Sequence, residues 1–133
     1  MSNKYQSPLW LQGRSAGVLF HPSSLPGTYG IGSLGSHAYQ FVDFLEKAGF
    51  SFWQMCPVGP TGFGDSPYQV FSSSAGNPYF IDWDKLIELD LLESSDLSNL
   101  QKLPSHAVDY GSLYVEFYPV ARLAYAHFKE KKQ

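Results

Sequence analysis

Two short apolar segments, one on each side of an amphipathic helix, limit most strongly how this chain can fold. The first covers residues 16–20, and the second, which is rich in aromatic side chains, covers residues 50–58. Ser36 is a candidate cap for the helix between them, and Gly49 is a candidate stop. The apolar residues of that helix recur at three- and four-residue spacing: Ala38, Phe41, Val42, Leu45 and Ala48. A strand, a helix and a strand in this order predict a βαβ unit with two parallel strands.

Long loops rich in Gly, Pro and Ser follow both predicted strands. They cover residues 21–35 and 59–78. Loops of this length inside a compact domain are usually functional. The loops that follow the strands also form the active face of parallel α/β proteins. We therefore expect a binding site where these two loops meet.

The second half of the chain predicts helices joined by irregular segments. Residues 79–82 read as a short extended piece, followed by a short helix that Asp84 could cap. Residues 93–108 are polar and predict irregular structure. The composition is helical from Ser112 onward, but Pro119 predicts two separate pieces, the second beginning at the proline.

The composition favours a globular domain that binds a neutral ligand. The net charge is −3 and no long run of Lys and Arg occurs, so nucleic acid and membrane surfaces are poor partners. Aromatic residues make up 17% of the chain, and many stand beside Gly, Pro and Ser, where they suit the apolar C–H faces of sugars. The single cysteine, Cys56, excludes an internal disulfide. With no signal-peptide or membrane-spanning pattern, a cytoplasmic location is expected.

Metal and dinucleotide sites are weakly supported. The four histidines, at positions 21, 37, 106 and 127, have no ligand spacing with one another or with the cysteine, so no metal or other cofactor is expected. Gly30, Gly32 and Gly35 match a dinucleotide-binding string, but they follow a long loop and no acidic residue ends the second strand. His21 directly follows the first strand and is either a substrate contact or a structural residue bonded to the backbone.

The loop 59–69 holds the strongest candidate site residues. Two glycines flank Phe63 and allow a tight turn that presents its ring, and Pro67 stiffens the chain before Tyr68. Residue types alone leave two interpretations of Tyr68 open, a sugar platform or a packing residue of the loop. Asp65 is the carboxylate in this loop, but no second carboxylate forms an evident pair with it, as a retaining glycosidase requires.

Four segments together resemble glycoside hydrolase family 77, the 4-α-glucanotransferases or amylomaltases. They are residues 17–32, 52–69, 74–82 and 108–111, within a resemblance over about residues 14–128. The resemblance implies an α/β fold that is the N-terminal part of a (β/α)8 TIM barrel, since 133 residues are too few for a whole barrel of about 250. It further implies a lead-in at 1–13, the barrel portion at 14–133, and a loop-rich insertion on the substrate side at 59–112.

The same resemblance implies an activity that this chain carries only in part. The family transfers a segment of a 1,4-α-glucan to the 4-hydroxyl of glucose or another glucan by a retaining double displacement, without a metal. Its nucleophile, acid/base and stabilising carboxylates belong to later barrel strands, and no position here matches them. We therefore expect the chain alone to be inactive. The alternative is a non-catalytic α-glucan-binding or structural remnant.

The resemblance also implies roles for five residues. Tyr68 resembles the aromatic platform beneath the transferred sugar, with Asp65 and Ser66 beside it as contacts to sugar hydroxyls. Phe63 stands where many relatives have Tyr. Tyr114 resembles an outer aromatic contact to the glucan. The expected partner is thus an α-1,4-glucan, together with the rest of the barrel.

Overall fold

The computed structural model describes residues 13–62, 64–66, 68–72 and 74–132. Two strands and three α-helices follow one another as β1 (Gly17–Leu19), α1 (Ser36–Lys47), β2 (Phe52–Gln54), α2 (Trp83–Glu88) and α3 (Tyr110–Lys131). Four single turns of 3-10 helix lie between them, at Pro22–Ser24, Pro78–Phe80, Ser94–Leu97 and Leu100–Lys102. The first half is therefore a βαβ unit, and the second half is helical.

The parallel pairing predicted for the two strands is confirmed. Gly17 lies opposite Phe52, and the register continues through Leu19 opposite Gln54. Both strands are shorter than the apolar segments that predicted them. One further bond extends the ladder at each end, from the Phe20 amide to the Gln54 carbonyl at 3.0 Å and from the Ser51 amide to the Ala16 carbonyl at 2.8 Å.

Helix α1 ends as predicted but begins differently. Gly49 has a φ of +78°, a left-handed conformation that favours glycine and stops the helix. At the other end Gly35 is the N-cap, and the prediction of Ser36 as the cap is wrong. A Cβ at Gly35 would lie 2.8 Å from the carboxyl carbon of Asp82, so the close approach of that side chain requires glycine there. Only Ala38 and Leu45 of the predicted face are buried.

Three aromatic rings join the parts of the βαβ unit. The Phe20 and Phe41 rings are 5.1 Å apart, and the Phe41 and Trp53 rings are 4.9 Å apart at 77°. The Trp53 indole donates a hydrogen bond of 2.7 Å to the Phe20 carbonyl. Helix α1 therefore packs, through Phe41, against Phe20 after β1 and Trp53 in β2.

The main core lies in the second half, around Phe117. This ring has no exposed surface and packs edge-on against Tyr79 at 4.9 Å and against Trp83 at 4.8 Å. Leu113, Phe117, Val120 and Ala124 form the buried stripe of α3. The remaining members of the core are Ile31, Tyr79, Phe80, Trp83, Leu92, Leu97 and Leu100.

Helix α3 runs through Pro119 without a break, so the prediction of two pieces is wrong. A proline inside a helix costs about 3 kcal/mol because it removes one hydrogen bond and crowds the preceding turn. Buried Leu, Phe and Val side chains each contribute about 1.5–3 kcal/mol, and α3 buries Leu113 and Phe117 before the proline and Val120 after it. Packing on both sides therefore outweighs the local cost, and Pro119 itself faces solvent.

Two further local predictions are wrong because tertiary packing decides them. Tyr79 and Phe80 are not extended, since they lie in a 3-10 turn that begins at Pro78 and is capped by the Asn77 side chain; the extended backbone is limited to Ile81 and Asp82. Residues 93–108 contain two 3-10 turns, which place Leu97 and Leu100 in the core with no exposed surface.

The cap of α2 is also different from the prediction. The Asp82 carboxylate, not that of Asp84, accepts the hydrogen bond from the Lys85 amide. Asp84 instead accepts a hydrogen bond from the Tyr29 hydroxyl. The two carboxylates therefore have separate tasks, one within α2 and one between α2 and the loop that follows β1.

The His21 imidazole ends the first strand region in a buried position, with 9% of its surface exposed. Its Nδ1 accepts the Ser23 amide at 3.3 Å and so caps the turn Pro22–Ser24. Burial lowers the pKa of His21, and the Pro57 carbonyl opposes this effect. This geometry supports the structural interpretation of His21.

Truncation of Phe117 should cost far more stability than truncation of an exposed phenylalanine. Phe117→Ala leaves a cavity and is expected to lower the free energy of unfolding by about 3–5 kcal/mol. Phe44→Ala, on the solvent side of α1 with 57% of the ring exposed, is the control and should change it by less than about 0.5 kcal/mol. Urea denaturation measures both. Equal losses in the two variants would contradict a core centred on Phe117.

Acidification should destabilise the fold through His21. The pKa of His21 is lowered below the usual 6.5 in the folded protein, so the fold favours the neutral imidazole. The contribution of His21 to the free energy of unfolding is therefore complete above about pH 6.5 and is lost as the pH falls through the folded pKa. His21→Asn should remove this slope, whereas His106→Asn, at an exposed position, should keep it. Urea denaturation at pH 7.5 and 5.5 compares them. The Asp109 carboxyl, whose pKa is lowered by the Ser112 hydroxyl, contributes only at lower pH.

Candidate functional site

A cleft of about 340 Å³ opens between the loop that follows β2 and the first three turns of α3. The loop side contributes backbone and small side chains, and the helix side contributes aromatic rings. Its lining consists of Pro60, Thr61, Asp65, Asn77, Pro78, Tyr79, Tyr110, Gly111, Tyr114 and Tyr118. The cleft therefore combines apolar ring faces with hydroxyl, amide and carboxylate groups.

Three tyrosines on α3 form one wall of the cleft. Tyr110, Tyr114 and Tyr118 are four residues apart and therefore share one face of the helix. The rings of Tyr114 and Tyr118 are 5.0 Å apart, and Tyr79 joins them with its ring 6.2 Å from that of Tyr118. The Asp109 carboxylate caps the helix by accepting the Ser112 amide at 3.1 Å. This cap orders the first turn of α3, in which Tyr110 is the first residue.

The opposite wall is a loop that is closed at its base. An isolated antiparallel bridge joins Thr61 and Val70. The buried Asn77 side chain donates a hydrogen bond of 3.3 Å to the Gly59 carbonyl and accepts the Tyr79 amide at 3.0 Å. Asn77 therefore connects the start of the loop to the 3-10 turn that contains Tyr79.

Asp65 enters the cleft from a strained backbone conformation. Its φ is +55°, next to Gly64 at +90°, and its amide donates to the Gly62 carbonyl at 3.1 Å. A non-glycine residue in the left-handed region costs about 1–2 kcal/mol. The tight turn therefore uses strain to bring a carboxylate to the cleft, a common property of binding sites.

The electrostatics of the cleft keep its phenols protonated. Burial raises the pKa of Tyr79 to about 12, with further contributions from Tyr118, Tyr114 and the Asp65 charge. Burial also raises the pKa of Tyr110; the Ser23 hydroxyl opposes this and the Asp65 charge adds to it. At neutral pH the cleft thus offers phenol donors and one carboxylate acceptor beside ring faces. That combination suits a neutral, polyhydroxylated ligand.

The structure brings together some of the residues predicted for the site. Asp65 and Tyr114 both line the cleft. Ser66 is half-buried beside it and accepts the Tyr68 amide at 3.4 Å, whereas the Tyr68 ring is 67% exposed and lies outside the cleft lining. Phe63 lies outside the described residues. The substrate roles of Tyr68, Ser66 and Phe63 stay predictions.

Sequence reasoning missed Tyr79, Tyr110 and Tyr118. The spacing of Tyr110, Tyr114 and Tyr118 was a usable signal, because a four-residue repeat marks one helix face. The predicted helix began at Ser112 and so left Tyr110 outside it, whereas α3 begins at Tyr110. Tyr79 gave no such signal, because its position depends on contacts with α3.

Other kinds of site find no support in the part of the chain that the structure describes. Among these residues, no group of three or more His, Cys, Asp or Glu side chains could hold a metal ion. The described helices include none that is long and apolar enough to cross a membrane.

Comparison with known proteins gives a consistent result. The family model for 4-alpha-glucanotransferase matches residues 20–133. The 4-alpha-glucanotransferase of Thermus thermophilus is 49% identical over 118 residues, which are 89% of this chain and 23% of the relative. That of Clostridium butyricum is 51% identical over 112 residues, 84% of this chain and 23% of the relative. The chain thus spans less than a quarter of the length of these curated relatives.

A solved structure agrees with these sequence matches. The amylomaltase from Streptococcus agalactiae in complex with acarbose has a TM-score of 0.81 and 43% sequence identity to this chain. The match covers 89% of this chain and 24% of the amylomaltase chain. Since the family model matches most of the sequence and the relatives carry the same description, the chain belongs to the 4-alpha-glucanotransferase family.

Proposed function

We propose that this chain is the N-terminal part of a 4-α-glucanotransferase barrel and that its tyrosine-lined cleft binds an α-1,4-glucan. The observation that carries the proposal is the wall of Tyr110, Tyr114 and Tyr118 facing Asp65 across the cleft. Family membership supports the ligand class, and so does the similar amylomaltase, which is in complex with acarbose.

The chemistry of the cleft matches that of a glucan. A glucose ring has flat C–H faces that pack against aromatic rings, and hydroxyls around its edge. Tyr114 is 62% exposed, so its ring face is available to a sugar. The phenol hydroxyls donate and the Asp65 carboxylate accepts, so both hydrogen-bonding roles of a sugar hydroxyl are met. The exposed Tyr68 ring would extend the aromatic surface along the same loop.

The barrel part of the proposal is supported by the βαβ unit. Its two strands are parallel, and the loop that forms one wall of the cleft follows the carboxyl end of β2. In barrels of this type the active face is at that end. The remaining strands would come from residues outside this chain, because the chain covers 23% of the length of the Thermus thermophilus relative.

The transfer reaction needs groups that this cleft does not contain. A retaining double displacement uses two carboxyl groups about 5 Å apart, one as nucleophile and one as acid and base. Among the described residues, Asp65 is the carboxylate that lines the cleft. In the whole protein, the role of this chain would therefore be to bind and orient the glucan.

A second candidate function is glucan binding without catalysis. It is favoured by the core, whose members lie within residues 31–124 and include Tyr79 of the cleft lining, with Tyr110 and Tyr118 packed against it. The cleft is then formed without help from the rest of a barrel. Both candidate functions predict that the cleft binds a glucan. Only the first predicts that the glucan is cleaved and transferred once the rest of the barrel is present.

Removal of Tyr114 should weaken glucan binding. Tyr114→Ala takes away an exposed ring face in the cleft, and we expect about a tenfold rise in Kd for maltoheptaose, equivalent to about 1.4 kcal/mol. Tyr125→Ala is the matched control, because Tyr125 is 61% exposed on the same helix but outside the cleft lining. Isothermal titration calorimetry measures both. Equal affinity in the two variants, or no binding by the unchanged chain, would contradict the proposed site.

The chain by itself should not transfer glucan segments. Incubation with maltotriose is expected to leave it unchanged, because the paired carboxylates of the reaction are missing. Chromatography of the products over time, with a full-length family enzyme as positive control, tests this. Release of glucose together with longer maltooligosaccharides would show that this chain contains a complete catalytic site.

A further inference from the structure

The buried side chain of Asn77 uses both ends of its amide, and 9% of its surface is exposed. The amide oxygen accepts the Tyr79 backbone N–H at 3.0 Å and thereby caps the 3-10 turn Pro78–Phe80. The amide nitrogen, Nδ2, donates to the Gly59 carbonyl at 3.3 Å. Because a backbone N–H can only donate and a carbonyl can only accept, these two partners fix the orientation of the amide.

Capping alone does not require asparagine at this position. Asp, Ser and Asn are about equally good caps, because each offers an oxygen to a backbone N–H of the first turn. A carboxylate, however, has no proton to donate at neutral pH, and the Ser hydroxyl is one bond closer to the backbone. The bond from Asn77 to Gly59 therefore uses a donor that the cap does not need.

Gly59 lies in the neck of the loop that forms one wall of the cleft. A Cβ at this position would lie 2.7 Å from the Ser72 carbonyl oxygen and 3.2 Å from the Val70 Cβ, so the returning arm of the loop passes close beside it. The bridge between Thr61 and Val70 joins the same two arms. An interaction that holds Gly59 therefore also holds the loop, including Asp65, which lies between the bridged residues.

The other partner of Asn77 belongs to the core. The Tyr79 ring packs edge-on against Phe117 at 4.9 Å and lies 6.2 Å from the ring of Tyr118, which is part of the tyrosine wall. Asn77 itself lines the cleft between this wall and the loop. One side-chain amide thus joins a backbone N–H on the core side to a backbone carbonyl on the loop side.

We propose that Asn77 is a positioning residue for glucan binding, and that its bond to the Gly59 carbonyl holds Asp65 at the distance from the tyrosine wall that a glucan requires. The proposal rests on the proposed function of the cleft and deepens it. A hydrogen bond from a sugar hydroxyl to a carboxylate spans roughly 2.5–3.0 Å. A loop shift of about 1 Å would therefore break that bond while a ring face on α3 could still contact the sugar.

A double-mutant cycle between Asn77 and Asp65 tests whether the loop transmits the effect. Asn77→Ala and Asp65→Ala should each raise the Kd for maltoheptaose about fivefold, the usual effect of one net hydrogen bond. The double variant should be little weaker than either single variant, because a loop without its carboxylate gains nothing from correct placement. Asn99→Ala is the matched control, at an exposed asparagine outside the cleft lining, with an unchanged Kd expected.

Asn77→Asp gives a measurement that a purely structural role would not change. At pH 7.5 it keeps an oxygen for the cap but loses the donor to Gly59, and we expect about a tenfold rise in Kd. Burial raises the pKa of a carboxyl group, and a protonated carboxyl again has one O–H to donate and one oxygen to accept. At pH 5.0 the affinity should therefore return towards that of the unchanged chain.

The comparison is made with the unchanged chain at each pH. Asp65 in the cleft and His21 near the same turn are present in both proteins, so their own ionisation is contained in the reference. Asn99→Asp places a carboxyl group at an exposed position and should show no recovery of this kind. Circular dichroism at both pH values checks that the variants fold.

The outcomes distinguish this inference from the proposed function. If the unchanged chain does not bind maltoheptaose, both fail. If it binds but the effects of Asn77→Ala and Asp65→Ala add, or if Asn77→Asp stays equally weak at pH 5.0, only the positioning role fails. Proton exchange of the Asn77 side-chain amide, followed by NMR in the unchanged chain, needs no substitution. One Nδ2 proton should be protected, and rapid exchange of both would overturn the role of the bond to Gly59 even if a variant does not fold.

Discussion

The burial of Phe117 against Tyr79 and Trp83 sets the rotation of α3 about its own axis, and the cleft depends on that rotation. In an α-helix successive residues are separated by roughly 100°. With Leu113 and Phe117 facing the core, the residue after each of them, Tyr114 and Tyr118, must lie on the flank of the helix. That flank faces the loop after β2. The aromatic wall is therefore a geometrical consequence of core packing.

The two halves of the chain meet through the loop that follows β1. The Leu34 amide donates to the Phe80 carbonyl at 3.1 Å, and His21 packs against the same phenylalanine. Tyr29 bonds Asp84 at the start of α2, and a Cβ at Gly30 would lie 2.6 Å from the Leu103 side chain. A loop that appears irregular in sequence is thus the connector between the βαβ unit and the helical core. Its glycines serve close packing, which explains how a dinucleotide-like string arises without that function.

Features that depend on neighbouring residues could be predicted from the sequence, and features that depend on distant contacts could not. The parallel βαβ unit and the stop at Gly49 follow from local periodicity and backbone conformation. The continuity of α3 at Pro119 depends on burial along the whole helix, which local propensity does not contain. The same holds for the site: Asp65 and Tyr114 were recognisable from the family resemblance, but Tyr79 joins them only through the fold.

Binding and catalysis place different demands on a chain of this kind. An aromatic wall can be built from one helix and one loop, because its residues need only share a surface, and α3 and residues 60–79 supply this. A double displacement needs two carboxylates about 5 Å apart, which in a barrel come from the ends of different strands. The aromatic wall can be encoded in a contiguous segment, whereas the carboxylate pair requires closure of the sheet. A chain that spans 23% of a family member can therefore form the tyrosine-lined cleft, whereas a pair of carboxylates placed by different strands requires more of a barrel.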